Sequence, residues 1–279
     1  MPWCGSGPSS SCVPETRGDE PLKPIRPARA VCGLLALAAL CGSFLFPRLF
    51  AAAAPYNQTY AIFIKSALAG TETVTEEWDS SGKLVATTQS EIFLDDGLER
   101  KRMAFDTRMV LTKAYAPVTY SYRYTSGSTG DGYEVAVKEA RIIRTLTRNG
   151  RATEASVALQ PGVVILDFSV YHQFDYVIRK YDMKKGGRQT FANFIPLIAA
   201  DIPLAITRME DSEIQHSKGS LPVRVFRVEF VGMWGAILEA DREGRLVRLA
   251  VRDQDLEVVR KDLIPESAPE SKPPVPPDR

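Results

Sequence analysis

Turn signals recur along most of this sequence at intervals of about 8–12 residues, and the stretches between them alternate apolar and polar side chains. Only a strand-rich antiparallel fold absorbs such a pattern. Asp79-Ser80-Ser81-Gly82 separates Thr71–Trp78 from Leu84–Leu94, and Asp95-Asp96-Gly97 turns the chain again. Tyr120, Tyr122 and Tyr124 alternate with polar residues in TYSYRYT. Asn149-Gly150 stands between Ile142–Thr147 and Ala152–Leu159, the dipeptide that best satisfies the two positive φ angles of a tight hairpin. Strand character resumes at Arg188–Ile195, Leu204–Met209, Val223–Phe230, Trp234–Ala240, Arg245–Val251 and Leu256–Leu263. The spacing predicts a mainly β fold, a large curved antiparallel sheet or open barrel with one principal helix packed against it. That helix is expected over Asp167–Asp182, where Phe168, Tyr171, Phe174, Ile178 and Tyr181 fall in one apolar stripe. Asp167 is the candidate N-cap and Gly186-Gly187 the stop.

Outside this body the composition changes. Residues 1–30 are polar and proline-rich, and residues 265–279 form a Pro-rich tail unable to build a core; both are expected to be disordered. Residues 31–54 are apolar, preceded by Lys23, Arg26 and Arg29, and read as a signal peptide or membrane anchor. Ala51 and Ala53 supply an A-x-A exit site; Pro47 and Arg48 interrupt a full span. Cys41 does not sit in a convincing lipidation box. The expected address is the periplasm or the extracytoplasmic face of the membrane, with membrane contact through residues 31–54 if they stay uncleaved. Residues 55–264 make a single β-rich domain.

Chemistry is constrained by what the body lacks. All four cysteines, Cys4, Cys12, Cys32 and Cys41, precede it, so it has no disulfide, thiolate nucleophile or cysteine-ligated zinc. With 35 basic and 34 acidic residues the chain carries no broad field for nucleic acid, and none is expected as a partner. The two histidines, His172 and His216, cannot make a three-histidine metal site; no metal and no cofactor are expected. His172, Asp175, Arg179 and Asp182 stand at helical steps, with Ser169 one turn earlier. A hydrolase using His172 with Asp175 and Asp167 is the catalytic reading. A solvated helix face laced with ion pairs is the simpler one, and the spacing favours it. The glycine-rich loop Ser126–Gly132 leads into a strand and makes no phosphate cradle. Asp95-Asp96 and Glu76-Glu77 are expected at a turn and on an exposed strand face. Phe168, Tyr171, Phe174, Ile178, Phe191, Phe194 and Trp234 are candidates to line a ligand groove between helix and sheet; the simpler reading makes them core.

The stretch Gly162–Pro196, with Leu166-Asp167, the aromatic run around His172, Tyr181-Asp182, Gly186-Gly187, Gln189, Phe191 and Pro196, resembles an uncharacterised group of exported bacterial envelope β-proteins, a domain of unknown function. The closing Gly244–Arg260 fits the same group, and the resemblance spans Thr71–Leu263. It implies a curved antiparallel sheet, an envelope location and no assigned reaction. The architecture is also similar to periplasmic lipoprotein carriers, half-barrels around an apolar groove. The expected function is thus a non-enzymatic envelope protein binding a lipid, an apolar ligand or a protein partner. A hydrolase, or an envelope structural or assembly factor, is the alternative.

Overall fold

The computed structural model describes residues 55–95, 99–125, 131–217 and 219–265. The leader, the N-terminal region, the end of the Pro-rich tail and most of the glycine-rich loop lie outside them.

The chain first lays down a meander. Its strands are β1 (Tyr56–Ile64), β2 (Ala67–Trp78), β3 (Leu84–Asp95), β4 (Arg100–Leu111), β5 (Pro117–Tyr124), β6 (Gly132–Lys138), β7 (Arg141–Arg148) and β8 (Arg151–Ala158). The turns do what their chemistry dictates. Asp79 Oδ1 accepts from the amides of Ser81 and Lys83 at 2.8 and 2.9 Å. Asn149 and Gly150 both take positive φ, 50° and 71°, which matches the twist of the flanking strands. Gly70 sits where β1 and β2 slip register. A β-carbon there would stand 2.1 Å from the Glu91 carbonyl oxygen, so only glycine lets β2 and β3 approach.

After β8 the chain crosses to the other edge. It passes through β9 (Val164–Ile165), a single 3-10 turn at Tyr171–Gln173 and helix α1 (Phe174–Lys180). It returns as β10 (Arg188–Phe191), β11 (Asn193–Ile195), β12 (Ala200–Asp201), β13 (Leu204–Arg208), β14 (Ser212–His216), β15 (Gly219–Phe230), β16 (Gly235–Ala240), β17 (Leu246–Val251) and β18 (Leu256–Arg260). The large sheet runs β10-β13-β15-β16-β17-β18-β1-β2-β3-β4-β5-β6-β7-β8, with β14 beside β15; every pairing in it is antiparallel. A smaller sheet, β12-β11-β9, covers part of the crossover. The β1–β18 pairing, Tyr60 opposite Arg260 to Ile64 opposite Leu256, welds the two halves together.

The expected large antiparallel sheet with one principal helix is the observed fold. Local limits differ. The helix begins at Tyr171 as a 3-10 turn and ends at Lys180, rather than filling Asp167–Asp182. Ser169 takes a φ of 63°, which no helix accommodates, and the Asp167 carboxylate is turned to other donors. Arg188–Ile195 is two strands, since the chain leaves the large sheet at Ala192 to join the small one.

The sheet curls around the crossover. Side chains from β2, β3, β5, β6 and β15 and a backbone amide from β17 all reach residues 167–181. Val177 is fully buried, Tyr181 meets Phe226 edge-to-face at 5.3 Å, and Phe174 meets Phe230 at 6.4 Å. The concave side is filled rather than hollow. A smaller cluster, Val223, Val225, Val247 and Leu263, forms a second apolar contact. Replacing Phe226 by alanine removes the β15 ring on which Tyr181 packs and over which Arg208 stands. The expected loss in unfolding free energy is about 3–5 kcal/mol, read from denaturant titration; a loss below about 1 kcal/mol contradicts this packing.

Candidate functional site

Two polar clusters lie on the concave side, and both involve the crossover. The first begins with Glu72 on β2. Period-two alternation turns Glu72, Val74 and Glu76 inward together and leaves Thr73 and Glu77 exposed. Glu72 is fully buried. Its carboxylate accepts from the backbone amides of Tyr171 at 2.9 Å and His172 at 2.7 Å, and from His172 Nδ1 at 3.1 Å. These amides open the helical segment, where no preceding turn supplies acceptors and Val170 offers no capping side chain. The carboxylate acts as a cap delivered from a neighbouring strand. Thr88 Oγ1 lies 3.3 Å from the imidazole nitrogens.

Four residues along β2, Glu76 lies 3.4 Å from Arg179. That strand segment covers about 13 Å and the seven residues from His172 to Arg179 about 10 Å, so helix and strand run side by side in the same direction. Arg179 is shared with Asp175 at 3.5 Å and stands over the rings of Tyr115 and Tyr176. Asp175 in turn accepts from the Leu246 amide on β17 at 2.7 Å. Burial pushes the Asp175 carboxyl up to about 7 against the pull of Arg179, with Glu76 adding to the rise.

The expected solvated helix face is therefore corrected. His172 and Asp175 are each 1% exposed, because the helix lies inside the curled sheet with polar partners on β2, β3 and β17. Only Asp182 is on the surface. Glu76, expected on an exposed face, points inward. The three catalytic candidates do not form one constellation. His172 is bound by Glu72 and Thr88, Asp175 by Arg179 and the Leu246 amide, and Asp167 by two tyrosines. None of the described cavities is lined by His172 or Asp175. Among the described residues no cluster of His, Cys, Asp or Glu could hold a metal ion.

The second cluster surrounds Asp167. Its Oδ2 accepts from the hydroxyls of Tyr120 on β5, at 2.7 Å, and Tyr133 on β6; its Oδ1 accepts from the Phe168 amide at 2.9 Å. Gln173 Oε1 takes the Asp167 amide at 2.6 Å. Tyr133 stacks on Tyr122, and Tyr122 on Phe105, so the donors are held by a column of rings. Burial raises the Asp167 carboxyl to about 6, while the two tyrosine hydroxyls and the amides of Phe168 and Leu197 hold it from rising further.

Asp167 borders a cavity of about 100 Å³. Phe168, Tyr171, Phe174, Phe230 and Trp234 supply its aromatic wall. Leu249, Val251 and Leu256 supply the aliphatic wall, and Ser169 and Gln254 the remaining polar edge. Of the groove candidates, Phe168, Tyr171, Phe174 and Trp234 thus meet here. Ile178 is instead buried near the Gly244 turn, Phe194 is 1% exposed in β11, and Phe191 packs on the core from β10. Phe230 and Asp167 are lining residues that helix periodicity did not single out; they come from a strand end and from an irregular segment. A larger depression of about 560 Å³ lies over strands β2–β7. Among its lining, Asp106 faces Arg123 across the strands, and Arg108 and Glu134 balance the charge.

No model of a known protein family matches the sequence, and no curated protein matches it. Among solved structures, the fold is similar to a β-barrel-like protein of domain of unknown function DUF1849 from Brucella abortus. The identity is 8% and the TM-score 0.52, over 74% of this chain and 94% of that one. A DUF1089 family protein from Pseudomonas aeruginosa is similar at 13% identity and TM-score 0.43, over 67% of this chain and 90% of that one. The likeness to an uncharacterised β-protein group therefore holds for the fold, and it carries no activity.

Two outcomes follow for the buried cluster. Glu72→Ala leaves the opening amides and His172 without their acceptor and is expected to cost about 2–4 kcal/mol in denaturant unfolding, more than Glu72→Gln. Asp175 has a folded-state value raised from 3.8 to about 7. Its contribution is thus fully present below about pH 4 and is lost as pH rises through 7. Asp175→Asn should flatten the decline between pH 5 and pH 8 by on the order of 2 kcal/mol. An unchanged profile in the variant argues against the assignment.

Proposed function

We propose that this chain is a non-enzymatic envelope protein that binds one small apolar group in the aromatic cavity between the crossover and strands β15–β17. The observation that carries this reading is the convergence of five aromatic side chains on a space of about 100 Å³. Cavities that hold drug-sized ligands measure about 300–1,000 Å³, and an apolar void of about 150 Å³ is enough for benzene. The space here therefore fits a branched alkyl group or a single small ring, not an acyl chain. With α1 filling the concave side, the reading moves away from a lipid carrier toward recognition of a compact group. The extracytoplasmic address rests on the apolar segment 31–54 and its preceding basic residues.

The backbone register supports a directional arrangement. Gly235 opposite Glu229, and Val251 opposite Leu256, put the Val231–Met233 turn, Gln254 and the end of β1 at Ile64 on one end of the sheet. Tyr56, Leu263 and the Gly244 turn belong to the other. Of the cavity lining, Phe230, Trp234, Val251, Gln254 and Leu256 stand at the first of these ends.

Trp234 lines the cavity and reports on it. Titration with isobutanol should shift the emission of Trp234 saturably. Gln254→Trp, a change at an exposed position on the cavity edge, should abolish the heat of binding measured by calorimetry without lowering stability. A full-strength response in the variant would place the binding elsewhere.

A further inference from the structure

The two buried clusters differ in one respect. Glu76 and Asp175 share the guanidinium of Arg179. Among the described residues Asp167 has no cationic partner: its hydrogen-bond donors are two phenols and the backbone amides of Phe168 and Leu197. Neutral donors spread the charge of a carboxylate without cancelling it, and a buried charge without a counter-ion is costly. Among the described residues no lysine, arginine or histidine lines the cavity beside it. The wall presents the faces and edges of Phe168, Tyr171, Phe174, Phe230 and Trp234, and aromatic faces attract cations. A carboxylate set at the edge of an aromatic wall, with cationic side chains absent, is the chemistry that selects an ammonium group over a neutral or anionic one.

We propose that the cavity takes a small alkylammonium ion, its branched alkyl body against the aromatic and aliphatic wall and its nitrogen against the Asp167 carboxylate. This rests on the cavity being a binding site, and it names the ligand's charge. The two tyrosines are positioning residues: both donate to Oδ2 and hold the carboxylate at the cavity edge. Their own hydroxyls are pushed up by burial and by the neighbouring Asp167, so they remain neutral donors through the physiological range. The groups that face Asp167 are Tyr120 and Tyr122 from β5, Tyr133 from β6, Gln173 from the 3-10 turn and the Leu197 amide from the turn after β11. Arg144 on β7 acts on the Tyr133 hydroxyl through its charge. In the loops at this end Lys65, Arg252, Asp253 and Asp255 are exposed and balance in sign. Asp167 is therefore the group whose titration controls an ammonium ligand here.

The test uses the full chain and three probes of one size, isobutylammonium, isobutanol and isobutyrate, by calorimetry at pH 7.5. The expected order is isobutylammonium first by about tenfold or more, which is the size of a charge-assisted contact, then isobutanol, with isobutyrate excluded. Ammonium binding should weaken as pH falls through about 6, while the alcohol's affinity holds steady. Asp167→Asn keeps an acceptor for the tyrosines, and it should remove the ammonium preference, so that isobutylammonium binds no more tightly than isobutanol. Equal binding of amine and alcohol overturns the charge assignment and leaves the cavity reading standing. Binding by none of the three overturns both. Co-sedimentation of the protein with phosphatidylethanolamine vesicles, competed by isobutylammonium, assigns the ammonium to a lipid head group. Its absence alongside isobutylammonium binding assigns it to a soluble amine.

Discussion

Glu72 gives its whole carboxylate to the first turn of a helix that belongs to a different part of the chain. Much else is organised by that contact. A helical segment of ten residues has little stability of its own, and its opening amides need acceptors. With Glu72 at one end and Glu76 bound to Arg179 at the other, the segment is pinned along β2 at both ends. The helix then serves as the solid filling about which the sheet bends. Strands on either side of β1 reach the same short stretch of chain: Thr88 from β3 meets His172, and Leu246 from β17 meets Asp175.

The same contact determines which surfaces remain available. Once His172 and Asp175 are committed to holding the crossover, the polar groups inside the sheet are structural. The irregular residues just before the helix are what is left to face solvent. Ser169 in its left-handed conformation ends the extended stretch from β9 and turns the chain into the 3-10 segment. That bend brings Asp167 against the tyrosines of β5 and β6 while Phe168 and Tyr171 face the cavity. Anchoring and cavity are consecutive parts of one segment.

Strand periodicity carried most of the architecture. Alternation in TYSYRYT, the Asn149-Gly150 turn and the aspartate-led turns identify a meander, and the meander is there. The aromatic stripe identified the helix but overstated its length, since Phe168 has helical spacing without helical backbone. The burial of Glu72 and Glu76 was legible in principle: each is two residues from Val74, and whatever face Val74 takes, they share. Their charge argues for exposure, and the two-residue period prevails. The pairing of β1 with β18 left no local trace, because it depends on which strands end up adjacent after the crossover. The same holds for the cavity, whose wall combines Phe168 and Tyr171 with Phe230, Trp234 and Leu249 from distant strands. Residues of suitable type were visible; their meeting was not.

The pairing of the first strand with the last has a temporal consequence. Tyr60 cannot find Arg260 until nearly the whole body has left the ribosome. Until then β1 is an open edge, and the growing sheet has an unpaired margin at its centre rather than at its rim. Chains rich in such distant contacts fold slowly, and exposed margins invite the wrong neighbour. A polypeptide wired in this way stays threadable through synthesis and becomes cooperative only when its closing strand arrives.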